Sequence, residues 1–308
     1  MNSPKVNILL ATYNGEKYLK AQLDSLIAQS YENIDIYIRD DGSSDQTVAV
    51  IEKYIRNNTS NRKIILLDNN GENLRCPKSF YEIFAKCQPA DYYSLCDQDD
   101  LWYPDKVKWA VEALEQEQQD VPLLYYTACD YNDDKGNLIR RSPKQKTTLS
   151  LSDVLYYTPG SGFTMVINEM ARQKLLLEVT PGLELHDRWL IRGVVLTGKA
   201  IYDERSSASH IRHEQAVTAG DSGNGNLLKN FIHSELCGDD AVHEKEALNY
   251  FAQIFGDQLN EKDKKLLTLF SSRNSIGRWF GKVFYPKRLR TRMAGEIALR
   301  MLFFLGKI

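Results

Sequence analysis

The first 130 residues alternate short β-branched runs with longer amphipathic runs, and this alternation constrains the fold more than any other feature of the chain. The pattern is typical of a parallel sheet covered by helices. The predicted strands are 6–11, 34–39, 63–67, 92–96 and 123–128. The predicted helices between them are 16–29, 45–57, 77–87 and 104–117. The chain is therefore predicted to begin with an α/β fold.

Polar loops follow three of these strands, at 12–15, 40–45 and 97–100. Ligands of open α/β sheets bind beyond the carboxyl ends of the strands, so we expect the three loops to converge on one crevice. The last loop holds three carboxylates, which repel one another unless a cation bound to a polyphosphate lies there. Without a ligand, Asp100 could instead cap the helix that begins near Pro104.

Composition narrows the class of protein. A formal net charge of −2 over 308 residues gives no general attraction to nucleic acid, so no nucleic-acid partner is expected. The five cysteines are an odd number without a C-x-x-C pair, which indicates reduced thiols in a cytoplasmic protein. The amino terminus lacks the pattern of a secretory signal, and no apolar run approaches the length of a membrane span.

The second half is mixed. A polar stretch at 130–146 contains a predicted hairpin turn at 133–136, followed by a predicted strand at 162–168 and helices at 169–177 and 187–197. Residues 220–226 read as a flexible linker, and the pattern from 227 onward is helical.

Three segments together resemble family 2 glycosyltransferases of the GT-A fold. They are ILLATYNGE at 8–16, RDDGSSDQT at 39–47 and DQDDLWYPDK at 97–106. The resemblance covers roughly the first 215 residues. It implies a Rossmann-like mixed sheet flanked by helices, as in nucleotide-diphospho-sugar transferases, with a helical carboxy-terminal extension. The expected domains are a catalytic domain at 1–220 and the extension at 221–308. Within the former, the nucleotide-binding half is 1–130 and the acceptor half is 131–220.

The resemblance implies roles for the nucleotide end of the site. Asp41 is expected to accept the imide N–H of uracil or thymine, because only an acceptor can bind that proton. Asp97 is expected near the ribose and the metal, and Asp99 in direct coordination of Mg²⁺ or Mn²⁺. The other residues expected to line the nucleotide pocket are Ala11, Thr12, Tyr13 and Glu16. Turn formation by Asp41 and a helix-dipole interaction of Glu16 are the structural alternatives.

The resemblance also implies roles at the acceptor end. Asp187 matches the catalytic base, although a residue so near a helix start also serves as a cap. Gly160, Gly162 and Trp189 are expected beside the acceptor. Arg212 is expected at the diphosphate and His213 at the metal, with His210 as the alternative ligand. Arg75 and Ser79 depart from the Gly and Asn that related enzymes tend to show. The resemblance therefore does not determine which sugar the donor carries.

These roles imply an inverting, metal-dependent glycosyltransferase. The expected donor is a dTDP- or UDP-linked sugar, with dTDP-rhamnose favoured because the acidic motifs resemble those of rhamnosyltransferases. The expected acceptor is a growing O-antigen, capsule or exopolysaccharide glycan on a lipid carrier. The alternatives are a sugar nucleotidyltransferase and a catalytically silent scaffold of the same fold at a membrane surface. A glycosidase would need paired carboxylates but no nucleotide loops.

The segment 273–308 holds nine Lys or Arg residues and one acid, interleaved with aromatic and aliphatic residues. This composition predicts a basic amphipathic surface that lies on anionic lipid, which would place the protein peripherally on the inner face of the cell membrane. A helical cap packed on the catalytic body is the alternative.

Overall fold

The computed structural model describes residues 3–133, 135–178, 185–211, 240–271 and 275–308. The chain divides into two compact units. The first comprises Met1–Thr148, Pro159–Pro181 and Leu185–Arg212, and the second comprises Leu149–Thr158, Gly182–Glu184 and His213–Ile308. The predicted domain boundary at 220 and the predicted linker at 220–226 lie outside the described residues. Of the helices in the described ranges, none combines the length and apolar character needed to cross a membrane.

Nine strands within the described ranges form one mixed sheet, all in the first unit. They are β1 Val6–Thr12, β2 Ile34–Asp40, β3 Lys63–Leu67, β4 Tyr92–Asp97, β5 Asp100–Trp102, β6 Leu123–Asn132, β7 Leu138–Arg141, β8 Val166–Asn168 and β9 Lys199–Ile211. Their order is β3-β2-β1-β4-β8-β6-β9-β5, with β7 beside β6. Strands β1 to β4 are parallel to one another, β6 is parallel to β9, and β5, β7 and β8 pair antiparallel with their neighbours. The predicted α/β fold is confirmed.

The helices described in the chain alternate with these strands and then follow them. They are α1 Glu16–Ile27, α2 Thr47–Asn57, α3 Lys78–Lys86, α4 Lys106–Leu114, α5 Leu151–Val154, α6 Glu169–Arg172, α7 His186–Thr197, α8 Asp240–Phe255, α9 Glu261–Ser271, α10 Ile276–Val283 and α11 Met293–Phe304. Helix α6 continues into a π-helical turn at Gln173–Leu177. The central strands are covered by these helices, so β1 and β2 are buried along nearly their whole length, as expected of parallel strands.

Sequence patterns located the first four strands to within one residue, the start of β6, and helices α1 to α4 and α7 to within three residues at each end. Other predictions were wrong, and some elements were not predicted. Asp100 is not a helix cap: it begins β5, and α4 starts after Asp105. The strand predicted at 162–168 begins as a 3-10 turn at Gly162–Thr164. Strand β9 was not predicted, because its many charged and small polar residues break the alternation of apolar positions. Part of the turn predicted at 133–136 lies outside the described residues, and β6 and β7 pair antiparallel on either side of it.

The second unit is helical, which confirms the predicted helical carboxy-terminal region. Its buried apolar residues come from successive helices, with Phe251 on α8, Phe270 on α9 and Phe303 on α11. The rings of Phe270 and Phe303 lie 5.5 Å apart. Four of the cysteines lie in the described ranges, and Cys76, Cys87, Cys96 and Cys129 are all free thiols.

Candidate active site

Strand register brings the predicted loops together at one edge of the sheet. Ala11 on the central strand β1 pairs with Arg39 on β2 and with Asp97 on β4. Since the three strands are parallel, the residues that follow them emerge side by side at the same edge. Thr12, Asp41 and Asp97 are therefore neighbours although they are far apart in the chain.

The two loops beside β1 and β2 bind each other through backbone amides. The Asn14 amide donates to Ser43 Oγ at 2.8 Å, and the Gly15 amide donates to Thr47 Oγ1 at 2.8 Å. The predicted pocket residue Glu16 is exposed, and its carboxylate accepts from the Gln46 amide at 3.2 Å. These bonds fix the shape of the loops at the sheet edge.

Asp40 and Asp41 are both buried but have different partners. The Asp40 carboxylate accepts from Thr12 Oγ1 at 2.9 Å and from the Ser43 amide at 2.8 Å, so it holds the turn that follows β2. The Asp41 carboxylate forms a buried ion pair with Arg39 and accepts from the Leu74 amide at 3.0 Å. Asp40 is thus a structural residue, whereas Asp41 lies against the segment that precedes α3.

Two residues that depart from the family pattern contact this ion pair. Arg75 has a left-handed backbone with φ of 59°, a conformation that glycine adopts more readily, and its amide donates to Asp41 Oδ2 at 2.5 Å. Ser79 is buried, and its Oγ accepts from Arg39 at 3.3 Å. Both departures therefore contact the Arg39–Asp41 pair, although Arg75 is an exposed residue and Ser79 is buried.

Gln98 links the acidic loop to the loop after β1. Its side chain accepts from the Tyr13 amide at 2.9 Å and donates to the Tyr13 carbonyl at 3.0 Å. A Cβ on Gly15 would lie 2.2 Å from Gln98 Oε1, so any larger residue there would displace the Gln98 side chain that links the two loops. The Tyr13 ring itself is half exposed, which leaves it accessible to a ligand.

The acidic loop carries an unbalanced negative charge. Burial raises the pKa of Asp97 well above its ordinary value, and the neighbouring charges of Asp100, Asp99 and Asp187 raise it further. Carboxylates that raise one another's pKa in this way attract a cation. Among the residues that the structure describes, no three His, Cys, Asp or Glu side chains form a ready metal-binding group. A cation here would need additional oxygen ligands from its substrate.

Asp100 is held by His210. The two residues face each other across the antiparallel strands β5 and β9, and His210 Nδ1 lies 2.6 Å from Asp100 Oδ1. The imidazole ring stacks on Phe163, with 5.7 Å between centroids. His210 is therefore a support of the acidic loop. The predicted roles of Arg212 and His213 fall outside the described residues.

Asp187 lies in the first turn of α7 and is half-buried. A Cβ on Gly162 would lie 2.6 Å from His186 Nε2 and 3.6 Å from Asp187 Cβ, so the predicted glycine loop does contact the start of this helix. Gly160, in the same loop as Gly162, packs against the ring of Tyr126 on β6. Trp189 is buried, and its indole donates to the Leu175 carbonyl at 2.7 Å, which anchors the helix.

Cys76 connects the two ends of the site. Burial raises the pKa of its thiol to about 12, and the charges of Asp97, Asp187 and Asp41 add to this shift. The thiol also lies 3.9 Å from His186 Nδ1. Cys76 is exposed overall, and the segment at 75–76 thus contacts Asp41 on one side and His186, the neighbour of Asp187, on the other. Sequence reasoning missed Cys76, Arg39 and His186, because no local motif marks contacts made across the sheet edge.

Comparisons with known proteins agree with this architecture. The family model described as glycosyl transferase family 2 matches residues 7–176, more than half of the chain. The chain is 31% identical over 162 residues to the dTDP-rhamnosyl transferase RfbG of Shigella flexneri, covering 52% of this chain and 54% of that protein. It is 28% identical over 183 residues to an uncharacterized glycosyltransferase of Rickettsia prowazekii (strain Madrid E), covering 56% of this chain and 53% of the relative. The chain spans about half the length of the curated relatives it matches.

Solved structures show the same fold. The crystal structure of S. aureus TarS 1-349 has a TM-score of 0.58 and 16% identity, covering 98% of this chain and 79% of TarS. The mannosyltransferase PcManGT from Pyrobaculum calidifontis, in complex with GDP-Man and Mn²⁺, has a TM-score of 0.53 and 13% identity, covering 99% of this chain and 88% of that one. The family match confirms the resemblance of the three sequence segments. The chain belongs to glycosyl transferase family 2 and has the GT-A fold.

Proposed function

We propose that this chain transfers a sugar from a nucleoside-diphosphate sugar to an acceptor hydroxyl, with inversion at the anomeric carbon. One observation carries the proposal: residues 75 and 76 contact both ends of the site, since the Arg75 amide donates to Asp41 Oδ2 at 2.5 Å and Cys76 Sγ lies 3.9 Å from Nδ1 of His186, the residue before Asp187. A nucleotide-sugar donor extends from its nucleobase to its sugar. Its binding therefore needs protein groups spread along one cleft.

Asp41 is proposed to select the nucleobase of the donor. A carboxylate offers about four lone-pair positions. Three of them are used by Arg39, the Leu74 amide and the Arg75 amide. The remaining position, on Oδ2, can accept an N–H from a pyrimidine. Arg39 orients the carboxylate through their buried ion pair.

Asp97 and Asp99 are proposed to hold Mg²⁺ or Mn²⁺ together with diphosphate oxygens. These cations prefer oxygen ligands, and the raised pKa of Asp97 marks a place where a positive charge would be favourable. The bound cation would neutralise charge on the departing nucleoside diphosphate. His213, and Arg212 toward the diphosphate, remain proposed further contacts.

Asp187 is proposed as the general base. It takes the proton of the acceptor hydroxyl while that oxygen attacks the anomeric carbon and the bond to the diphosphate breaks. A single displacement from the opposite face inverts the configuration. Gly162 permits the acceptor loop to lie against the start of α7, which supports placing the acceptor there.

We propose dTDP-rhamnose as the first donor to test and a UDP-sugar as the second. The name of the Shigella relative supports the former, and TarS, solved in complex with UDP-GlcNAc, supports the latter. The proposed acceptor is a cell-surface glycan on a lipid carrier at the cytoplasmic face of the membrane. The proposed catalytic domain is 1–220, followed by the helical extension.

Thermal unfolding with and without Mn²⁺, in the presence of UDP, dTDP, GDP or CMP, tests the donor site. We expect Mn²⁺-dependent stabilisation by UDP, dTDP or both, since a ligand that binds only the folded state raises the Tm. An Asp41→Ala variant should lose it. Stabilisation by GDP alone would overturn the role of Asp41. No response to any nucleotide would favour the scaffold alternative, and formation of a sugar nucleotide from dTTP and a sugar phosphate would identify a nucleotidyltransferase.

A further inference from the structure

Helices α10 and α11 of the second unit expose large apolar side chains along one side of each helix. On α10 and the residue after it, Ile276 is 82% exposed and Phe284 is 69% exposed. On α11, Phe304 is 61% exposed. The full set, called the exposed apolar face below, is Ile276, Phe280, Phe284, Met293, Ile297, Met301, Phe304 and Leu305. Clusters of this kind are uncommon on protein surfaces and mark interaction sites.

The spacing of these residues places them in continuous rows. Positions 276, 280 and 284 are four residues apart, as are positions 293, 297 and 301, and residues at that spacing lie above one another on a helix. Trp279 joins the rows, since its ring lies 4.9 Å from that of Phe280 and 5.5 Å from that of Phe304. Its indole also donates to the Phe304 carbonyl at 2.9 Å.

The exposed apolar face is additional to the side by which α11 packs. Leu299, Leu302 and Phe303 on that helix are buried, and the Phe303 ring lies 5.5 Å from that of Tyr156 within the same unit. The helix therefore has an inner side that already contributes to the core. Its outer row is not required for that packing.

The segment that carries the exposed apolar face is rich in positive charge. Residues 275–308 contain eight Lys or Arg side chains and one acid, Glu296. Glu296 is buried and binds Arg300 within the unit, with 2.8 Å between Oε1 and Nε, and its Oε2 accepts from the Leu289 amide at 2.8 Å. Its charge is thus used internally. The exposed cations are Lys287, Arg288, Arg292 and Lys307.

We propose that the exposed apolar face lies in the interfacial layer of an anionic lipid bilayer, with the surrounding Lys and Arg side chains at the headgroups. Large aliphatic and aromatic side chains bordered by cations are the combination that binds negatively charged membrane surfaces. A neutral protein partner would not explain the charge.

Vesicle binding by the full chain, measured by co-sedimentation without nucleotide, tests the proposal. We expect binding to phosphatidylcholine vesicles that contain phosphatidylglycerol to be at least about tenfold stronger than to pure phosphatidylcholine vesicles. The double variant Phe280→Ser, Phe284→Ser and the double variant Arg288→Glu, Arg292→Glu should each weaken binding by about tenfold or more. Raised salt should weaken binding through screening of the charges.

The control is Leu138→Ser with Ile139→Ser on β7, because these side chains are 59% and 53% exposed but lie in the first unit. This variant should bind vesicles as the wild type does, and thermal unfolding checks that every variant is folded. Equal sedimentation of wild type and the Phe280, Phe284 variant would overturn the proposal. So would a wild-type dimer in solution that the same variant dissociates, since a second copy would then cover the face. Neither result depends on sugar transfer.

Discussion

His210 supports the carboxylate of Asp100 from the far strand β9, with 2.6 Å between Nδ1 and Oδ1. Asp100 is 1% exposed, so the contact is shielded from water. Because Asp100 directly follows Asp99, the contact between His210 and Asp100 helps to position the acidic loop. Strand β9, which sequence patterns did not predict, thus positions the acidic loop at 97–100, which they predicted most clearly.

We predict that His210→Ala lowers the free energy of unfolding by about 1–3 kcal/mol, since it removes a hydrogen bond from a buried carboxylate. Urea unfolding measures the change. Lys144→Ala is the matched control, because it removes a surface ion pair to Glu204 and should change stability by at most about 1 kcal/mol. Equal effects of the two variants would contradict the supporting role of His210.

We predict that Gly15→Ala weakens nucleotide binding by about tenfold while the chain remains folded. The new Cβ would lie 2.2 Å from Gln98 Oε1 and displace the side chain that holds Tyr13. Loss of two hydrogen bonds that position a binding loop is of this order. Titration calorimetry with dTDP and UDP measures the affinity. Gly256→Ala, where no atom lies within 4 Å of the new Cβ, should leave the affinity unchanged.

We predict a different result for Gly162→Ala. Its Cβ would lie 2.6 Å from His186 Nε2, so the ring of His186 must move beside Asp187. Displacement of the proposed base Asp187 should slow turnover, because shifts of about 1 Å lower a rate by around a hundredfold. Steady-state kinetics should show a lower kcat, with nucleotide affinity retained. A variant that lost nucleotide affinity but kept kcat would place this loop at the donor end.

The regular part of the fold could be predicted from sequence because its signals are local. The run at 92–96 and the acids that follow it gave the position of β4 and its loop. The contacts that complete the site are not local. Cys76 reaches the cleft through its place before α3, and Arg39 is paired beneath Asp41 on a buried strand. No spacing rule reports such contacts.

Lys106 gives a pH-dependent prediction. The side chain is fully buried above the Trp102 ring, and burial lowers its pKa to about 7, with Cys96 and Asp100 opposing this shift. In the unfolded chain the lysine keeps its proton up to about pH 10. The unfolded state therefore binds more protons between these values, and this lysine makes stability rise with pH across that range.

We predict that Lys106→Met removes this rise, which amounts to on the order of 3 kcal/mol between pH 7 and pH 10. Urea unfolding of wild type and variant at both pH values gives the difference, in which the Tyr and Cys titrations common to both proteins cancel. Lys108→Met, at an exposed position of the same helix, should behave like the wild type. If Lys106→Met kept the full pH dependence, the lysine would not be neutral in the folded protein at high pH.

Strand β9 and the role of Asp100 were not predicted, because both depend on contacts between residues that are distant in sequence. Strand β9 contains few apolar residues, and it is held by β6 on one side and β5 on the other. Its pairing depends on neighbours that are distant in sequence, so propensity alone does not indicate it. Asp100 resembled a helix cap because the residues after it begin α4 within six positions.

Asp187→Asn tests the central claim most directly, because asparagine keeps the size of the side chain but cannot accept the proton of an acceptor hydroxyl at neutral pH. Sugar transfer from dTDP-rhamnose and UDP-sugars, and binding of the matching nucleotides, are measured on the same samples. We predict that turnover falls by at least about a hundredfold while nucleotide affinity stays within about twofold of the wild type. Turnover at the wild-type rate with this variant would contradict the assignment of Asp187 as the base.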